Sequence, residues 1–247
     1  GNLWVAVTDA TNPRVEIIDP EDHKKIKTVE GFELNPNNIA FTTSNAVIST
    51  VAADYSSGAH ALVDLDGYGV KETNLDPDGS DLVVRASGDS DKFFRLARSN
   101  MQYITRYATG SPGSPEWTKE LGDDTANPDP NPHELVFADS AKAYLLMMNE
   151  HRQWLVNPEA VGGGSQFSGY GKLDLSAYAV GDNGEIPAKA HTGVVVDDWL
   201  FVAMQRWHGS YQDINYAPAY VAVFDISAWG EEKELDTGLS TGNGDAE

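Results

Sequence analysis

Short apolar runs separated by polar turns recur along the chain in groups. The clearest group lies within residues 131–159, "NPHELVFADSAKAYLLMMNEHRQWLVNPE". Its first run, "HELVFA" at 133–138, has counterparts in "NNIAFT" at 37–42, "DLVVRA" at 81–86 and "HTGVVV" at 191–196. Its second, "AYLLMM" at 143–148, matches "LWVAVT" at 3–8, "AVISTV" at 46–51, "FFRLAR" at 93–98 and "LFVAMQ" at 200–205. Its third, "QWLVNP" at 153–158, matches "RVEIIDP" at 14–20, "HALVDLD" at 60–66, "AYVAVFD" at 219–225 and, more loosely, "QYITRYA" at 102–108. A weaker fourth run follows in several groups, as in "KIKTVEG" at 25–31 and "YGKLDLS" at 170–176. Runs of this length, rich in β-branched and aromatic residues and ending near Asp or Asn, predict strands closed by turns. No stretch carries sustained 3.6-residue periodicity, so long helices are not expected.

Four short strands recurring every forty-odd to sixty-odd residues predict an all-β fold, a β-propeller of four-stranded blades. About five blades are legible in one domain spanning 1–247, at roughly 1–34, 35–78, 79–126, 127–186 and 187–247. The first opens directly on a second-strand run, and the last stretch, "EEKELDTGLSTGNGDAE", holds no apolar run to supply the missing inner strand. The expectation is therefore the N-terminal part of a seven-bladed ring, completed by a tail or a second chain; a five-bladed ring closed in an unusual way is the alternative. Gly, Pro and Ser mark 108–132, 159–169 and 207–218 as exposed loops.

Composition narrows the function classes. The net charge of −21, from 38 acidic and 17 basic residues, repels nucleic acid and anionic membranes. No run approaches the roughly 20 apolar residues of a membrane-spanning helix. With no cysteine, disulfides and thiolate metal sites are excluded. No His-Glu-x-x-His or Gly-x-Ser-x-Gly pattern occurs, and "GGGS" at 162–165 lacks the Lys of a phosphate loop.

The candidate chemistry lies where the inner strands begin. Aligning those starts gives a ring of Asn37, Ser80, His133 and His191, followed by Asn38, Asp81, Glu134 and Thr192. Asn38, Asp81, Glu134, His133 and His191 form the candidate metal cluster at the mouth of a central channel. Their oxygens suit Ca²⁺ and their imidazoles a transition metal. Alternatively, such groups satisfy loop backbone or channel water. Trp207, His208 and Tyr211, in the 207–218 loop, form a candidate contact surface for a protein or sugar. Arg95, Arg98 and Arg106 are expected in ion pairs with nearby Asp, and Trp4, Trp154 and Trp199 in blade packing. His23, His60, His151 and His208 are expected at the surface or in turns.

The 131–158 segment resembles the repeat of bacterial surface and periplasmic β-propellers of the YVTN-repeat and lactonase-like type, including propeller lipoproteins. That repeat runs Pro-His-Gly-hydrophobic, Ala-Tyr-Val-Thr-Asn, then a strand ending in Ile-Asp; residues 190–226 follow it less closely. The resemblance implies an extracellular, cell-surface or periplasmic location. It also implies, for lactonase-like relatives, a central Ca²⁺ held by Glu, Asn and Asp, parts that Glu134, Asn38 and Asp81 would take here. Two functions follow: an exported acidic scaffold binding a protein or a ring-completing second chain, or a Ca²⁺-assisted lactonase-like hydrolase working at the channel mouth.

Overall fold

The computed structural model describes residues 1–9, 11–122, 127–160, 172–181, 183–210, 213–227 and 233–234. The chain divides into two compact units, Gly1–Lys119 and Glu120–Glu247. Both are antiparallel β-structure. Among the described residues the only helical element is a 3-10 turn at Ser176–Tyr178, and no helix is long and apolar enough to cross a membrane.

Unit 1 opens with a three-stranded sheet, β1 (Leu3–Val7), β2 (Arg14–Asp19) and β3 (Lys24–Val29), in chain order. Sheet 2 follows as β4 (Asn35–Phe41), β5 (Asn45–Val51), β6 (Gly58–Asp64) and β7 (Val70–Asp78). Sheet 3 comprises β8 (Leu82–Ala86), β9 (Lys92–Ala97), β10 (Tyr103–Ala108) and β11 (Trp117–Glu120). In unit 2, sheet 4 is β12 (Pro132–Phe137), β13 (Ala143–Met147), β14 (Arg152–Val156) and β15 (Lys172–Asp174). Sheet 5 begins with β16 (Ala190–Val196) and β17 (Trp199–Met204). A separate hairpin, β18 (Trp207–Ser210) with β19 (Asp213–Tyr216), then intervenes before β20 (Tyr220–Asp225) and β21 (Lys233–Glu234) complete the sheet. Each sheet is thus a meander in which neighbours in sequence pair in space. The apolar groups of the sequence fall on these strands, blade by blade.

Two of the segments expected to be loops carry strands. Residues 108–132 contain β11, and 207–218 contain the β18–β19 hairpin. All three strands are short, and the hairpin is held by its own pairing, Trp207 opposite Tyr216 and His208 opposite Asn215.

Within each unit, successive sheets stack through apolar rows. Val15 and Ile17 of sheet 1 pack on Ala46, Ile48, Ala61 and Val63 of sheet 2. The opposite face of sheet 2, through Ala40, Val47 and Leu62, meets Val84, Phe93 and Tyr107 of sheet 3. In unit 2, Val136, Tyr144, Leu146 and Leu155 of sheet 4 meet Leu200, Val202, Met204, Ala222 and Phe224 of sheet 5. A strand covered on both faces needs no alternation: β5 is buried at every position, while β17 alternates between buried and half-buried.

Candidate functional site

Three inner strands share a local distortion. The β4–β5 register slips between Pro36 and Asn38, the β12–β13 register between Pro132 and Glu134, and the β16–β17 register between Ala190 and Thr192. The skipped residues are Asn37, His133 and His191, three of the four positions that the sequence aligns as a ring. A β-bulge releases one residue from the ladder and re-aims its side chain, which is why bulges gather beside binding and active sites. The fourth position, Ser80, lies ahead of β8, which pairs with β9 without a slip.

In unit 2 the bulges bring side chains together. The His133 and His191 rings lie 4.9 Å apart between centroids, tilted by 43°. Thr192 Oγ1 donates to Glu134 Oε2 at 3.3 Å, and the Leu135 amide donates to Glu134 Oε1 at 3.2 Å. Both imidazoles are half-buried and Thr192 is exposed. The group can donate and accept hydrogen bonds and offers two flat ring faces to a ligand.

Just ahead of β16 lies a part-buried polar network. Lys189 is 8% exposed, takes a positive φ of 59° and donates from Nζ to Asn149 Oδ1 at 2.8 Å. Asn149 Nδ2 in turn donates to the Asp129 carbonyl at 2.9 Å. Burial pulls the Lys189 pKa below its ordinary value, against the opposing attraction of Asp129. The Lys189 ammonium sits 4.8 Å from the centre of the Trp207 ring, a cation–π contact. Trp207 Nε1 donates to Gln205 Oε1 at 3.2 Å. Trp207 and His208 are therefore half-buried members of β18 rather than a free loop. The side chain standing clear of the hairpin is Tyr216, 73% exposed, which the sequence reading did not single out. Tyr211 lies outside the described residues.

In unit 1 the corresponding groups are engaged. Asn38 Oδ1 accepts from the Val84 amide and from Arg85 Nη1, each at 2.9 Å, tying β4 to β8. Asp81 accepts from Arg98 Nε at 2.8 Å. Among the described residues no group of three or more His, Asp or Glu side chains is placed to hold a metal ion. Asn38 Oδ1 and Asp81 Oδ1 thus accept from the fold's own donors, in sheet 3 and its flanking turn.

A second polar cluster in unit 1 corrects one expectation. His60 is not a surface histidine: it is fully buried against the stacked rings of Phe93 (ring centroids 5.2 Å) and Tyr107 (4.9 Å). Its Nε2 lies 2.7 Å from the Pro112 carbonyl, so that nitrogen carries the hydrogen. Burial lowers its pKa to about 4. Alongside, Arg95 is 3% exposed and grips Asp76 through the carbonyl at 2.6 Å and Oδ2 at 2.8 Å. Tyr107 donates its hydroxyl to the same carboxylate, and burial raises its pKa. Arg95 and Arg98 pair with Asp76 and Asp81 as expected, whereas Arg106 pairs with Glu116 at 2.7 Å.

The blade-like stacking and repeated bulges set the frame for comparison with known structures. A chain of Kuenenia stuttgartiensis hydrazine synthase superposes with a TM-score of 0.53 at 12% identity, over 98% of this chain and 64% of that one. A chain of the mitotic checkpoint complex gives 0.58 at 9% identity, over 94% of this chain and 72% of the other. The fold is a β-propeller. The WD40 domain of Toxoplasma gondii coronin is matched over 64% of this chain and 39% of its own, with a TM-score of 0.47 at 13% identity. The chain thus spans under two thirds of the hydrazine synthase chain. No protein-family model matches it, and no curated protein matches its sequence. At these identities the likeness speaks to the propeller fold alone.

Proposed function

We propose that this chain is an exported, acidic propeller acting as a binding or assembly module, and that the bulged end of unit 2 is its contact surface for a protein partner. The observation that carries the reading is the recurrence of a bulge at Asn37, His133 and His191. Strand pairing fixes the neighbours of these residues and leaves their own side chains directed by the bulge. The two imidazoles, the Glu134–Thr192 pair and the Lys189-braced Trp207 hairpin supply polar and aromatic contacts on a rigid base. The cysteine-free sequence and net charge of −21 suit a secreted or periplasmic setting. One structure sharing the fold is a chain of a multiprotein complex. The calcium-assisted hydrolase reading draws no such support, since Asn38 and Asp81 serve β-sheet and arginine contacts.

The test places a photo-cross-linking side chain at Thr192 in the source cells, with a control at Gly67 in the turn between β6 and β7. A defined protein adduct should form at Thr192 and not at Gly67. Combining His133→Ala with His191→Ala should reduce its yield about tenfold, the effect of losing roughly 1.4 kcal/mol of contact energy. Equal labelling at both positions, or an adduct indifferent to the histidines, would overturn the reading.

A further inference from the structure

Sheets 4 and 5 each open on a bulge, and each bulge carries a histidine, His133 in β12 and His191 in β16. The two occupy equivalent slots on neighbouring inner strands of unit 2. Their rings lie side by side, with centroids 4.9 Å apart and planes tilted by 43°. That tilt is neither parallel stacking nor an edge-to-face contact. The separation has a chemical counterpart. Metal–nitrogen bonds of about 2.0–2.1 Å, with each nitrogen about 1.1 Å from its ring centre, hold two imidazoles on one ion with centroids about 4.5–5.2 Å apart when the bonds meet at roughly 90–110°. The observed 4.9 Å falls in the middle of that range.

The surroundings suit a cation. Glu134 follows His133 in β12, and its carboxylate accepts from Thr192, which follows His191 in β16. One carboxylate thus links the two bulged strands, and a carboxylate in such a place steadies an ion-bound water or an imidazole N–H. The neighbouring ammonium of Lys189 is turned to Asn149 Oδ1 at 2.8 Å and to the Trp207 ring. The net charge of −21 draws cations toward the surface as a whole. Both imidazoles are half-buried, so an ion can reach them without opening the fold. Unit 1 has no such pair: its bulge holds Asn37, and the aligned position ahead of the next inner strand is Ser80. Two imidazoles do not close a coordination shell, and among the described residues no set of three or more His, Asp or Glu side chains is placed to hold an ion. The remaining positions fall to water, as in metal sites that stay open to an incoming ligand.

We propose that His133 and His191 form a two-imidazole site for a divalent transition-metal ion of the Cu²⁺, Ni²⁺ and Zn²⁺ group, with water in the remaining positions. Imidazole nitrogen selects these ions over Ca²⁺ and Mg²⁺, which take oxygen ligands. With the same two ligands for each, Cu²⁺ binds more tightly than Ni²⁺ or Zn²⁺. The site narrows the five-residue metal cluster of the sequence reading to its two histidines. It stands independently of the partner-binding reading, because every group it uses belongs to unit 2 itself.

Calorimetric titration of the tag-free, chelator-treated protein with Cu²⁺, Ni²⁺, Zn²⁺ and Ca²⁺ tests it. One equivalent of each transition ion should bind, Cu²⁺ most tightly, and excess Ca²⁺ should not displace it. His133→Asn and His191→Asn should each weaken Ni²⁺ binding at least about tenfold. Asparagine already fills the same slot at Asn37, so the bulge tolerates it, and circular dichroism of each variant confirms the fold. His23→Asn, in the turn between β2 and β3, should leave binding unchanged. The electron paramagnetic resonance spectrum of the Cu²⁺ complex should show coupling to two imidazoles in the wild type and to one in either variant. Binding without a defined stoichiometry overturns the proposal. So does binding that Ca²⁺ competes away, or binding indifferent to both histidines.

Discussion

Packed against the stacked Phe93 and Tyr107 rings, the His60 imidazole is neutral well below the pH at which a free histidine charges. Its folded pKa is about 4 against an ordinary 6.5, burial being the main cause and Arg95 a lesser one. Between those values the unfolded chain binds a proton that the folded chain refuses. Stability therefore falls as pH drops from 6.5 toward 4, by about 3 kcal/mol in total, and this contribution is flat outside that window. Denaturant melts across the window should show this slope, and His60→Phe should remove it. At neutral pH the same substitution should cost about 1–2 kcal/mol by leaving the Pro112 carbonyl without its donor. An unchanged slope in the variant would assign the acid sensitivity elsewhere. The burial of His60 was only half legible in the sequence. It lies in the apolar run "GAHALVD", a sign of an interior position, but its partner Pro112 is 52 residues away and invisible to any local pattern. The arginines were easier, since a charged residue alternating with buried apolar neighbours needs a counter-ion wherever the chain supplies one.

At the scale of elements, the inner and middle strands were readable because their apolar residues face neighbouring sheets. The strands that escaped notice, β7, β11, β18 and β19, are polar and lie at sheet edges or in the inserted hairpin, where packing imposes little on composition. The bulges show the reverse. Aligning run starts drew together Asn37, His133 and His191, yet the register slip at each depends on the partner strand and leaves no mark of its own in the sequence. Glycine at position 193, two residues past the β16 bulge, has a comparable tertiary cause. A Cβ there would lie 2.8 Å from the Phe201 carbonyl oxygen, 3.1 Å from Val136 Cγ2 and 3.3 Å from Leu146 Cδ1. Gly193→Ala should therefore push sheet 5 away from sheet 4 and destabilise the protein by about 1–3 kcal/mol. Gly88→Ala, whose added carbon meets nothing within 4 Å, should change stability by less than about 0.5 kcal/mol. Urea midpoints would separate the two. Equal midpoints would show that β16 and β17 readjust without loss.

For the molecule as a whole, a charge of −21 on 247 residues opposes compaction. Among the described residues, exposed ion pairs such as Lys24–Asp22 and Arg152–Asp174 contribute little. Raising salt from low to physiological ionic strength should thus stabilise the fold by screening repulsion. Relief of about 1 kcal/mol would lift the melting temperature roughly 2–4 °C in a chain of this size. A fall instead would mean that enclosed pairs such as Arg95–Asp76 dominate the balance. The propeller fold was legible at this scale because each blade repeats the same burial problem. The close pairing of His133 with His191 was not, because it depends on which side chains the strand openings place side by side.

The bulges also bear on how such a molecule changes over generations. A residue outside the ladder can be exchanged without shifting its neighbours from one face of the sheet to the other. Asn37, His133 and His191 already show two side-chain chemistries in one structural slot. New specificities can be written into those slots one blade at a time, on a frame that does not have to be re-solved for each new tenant.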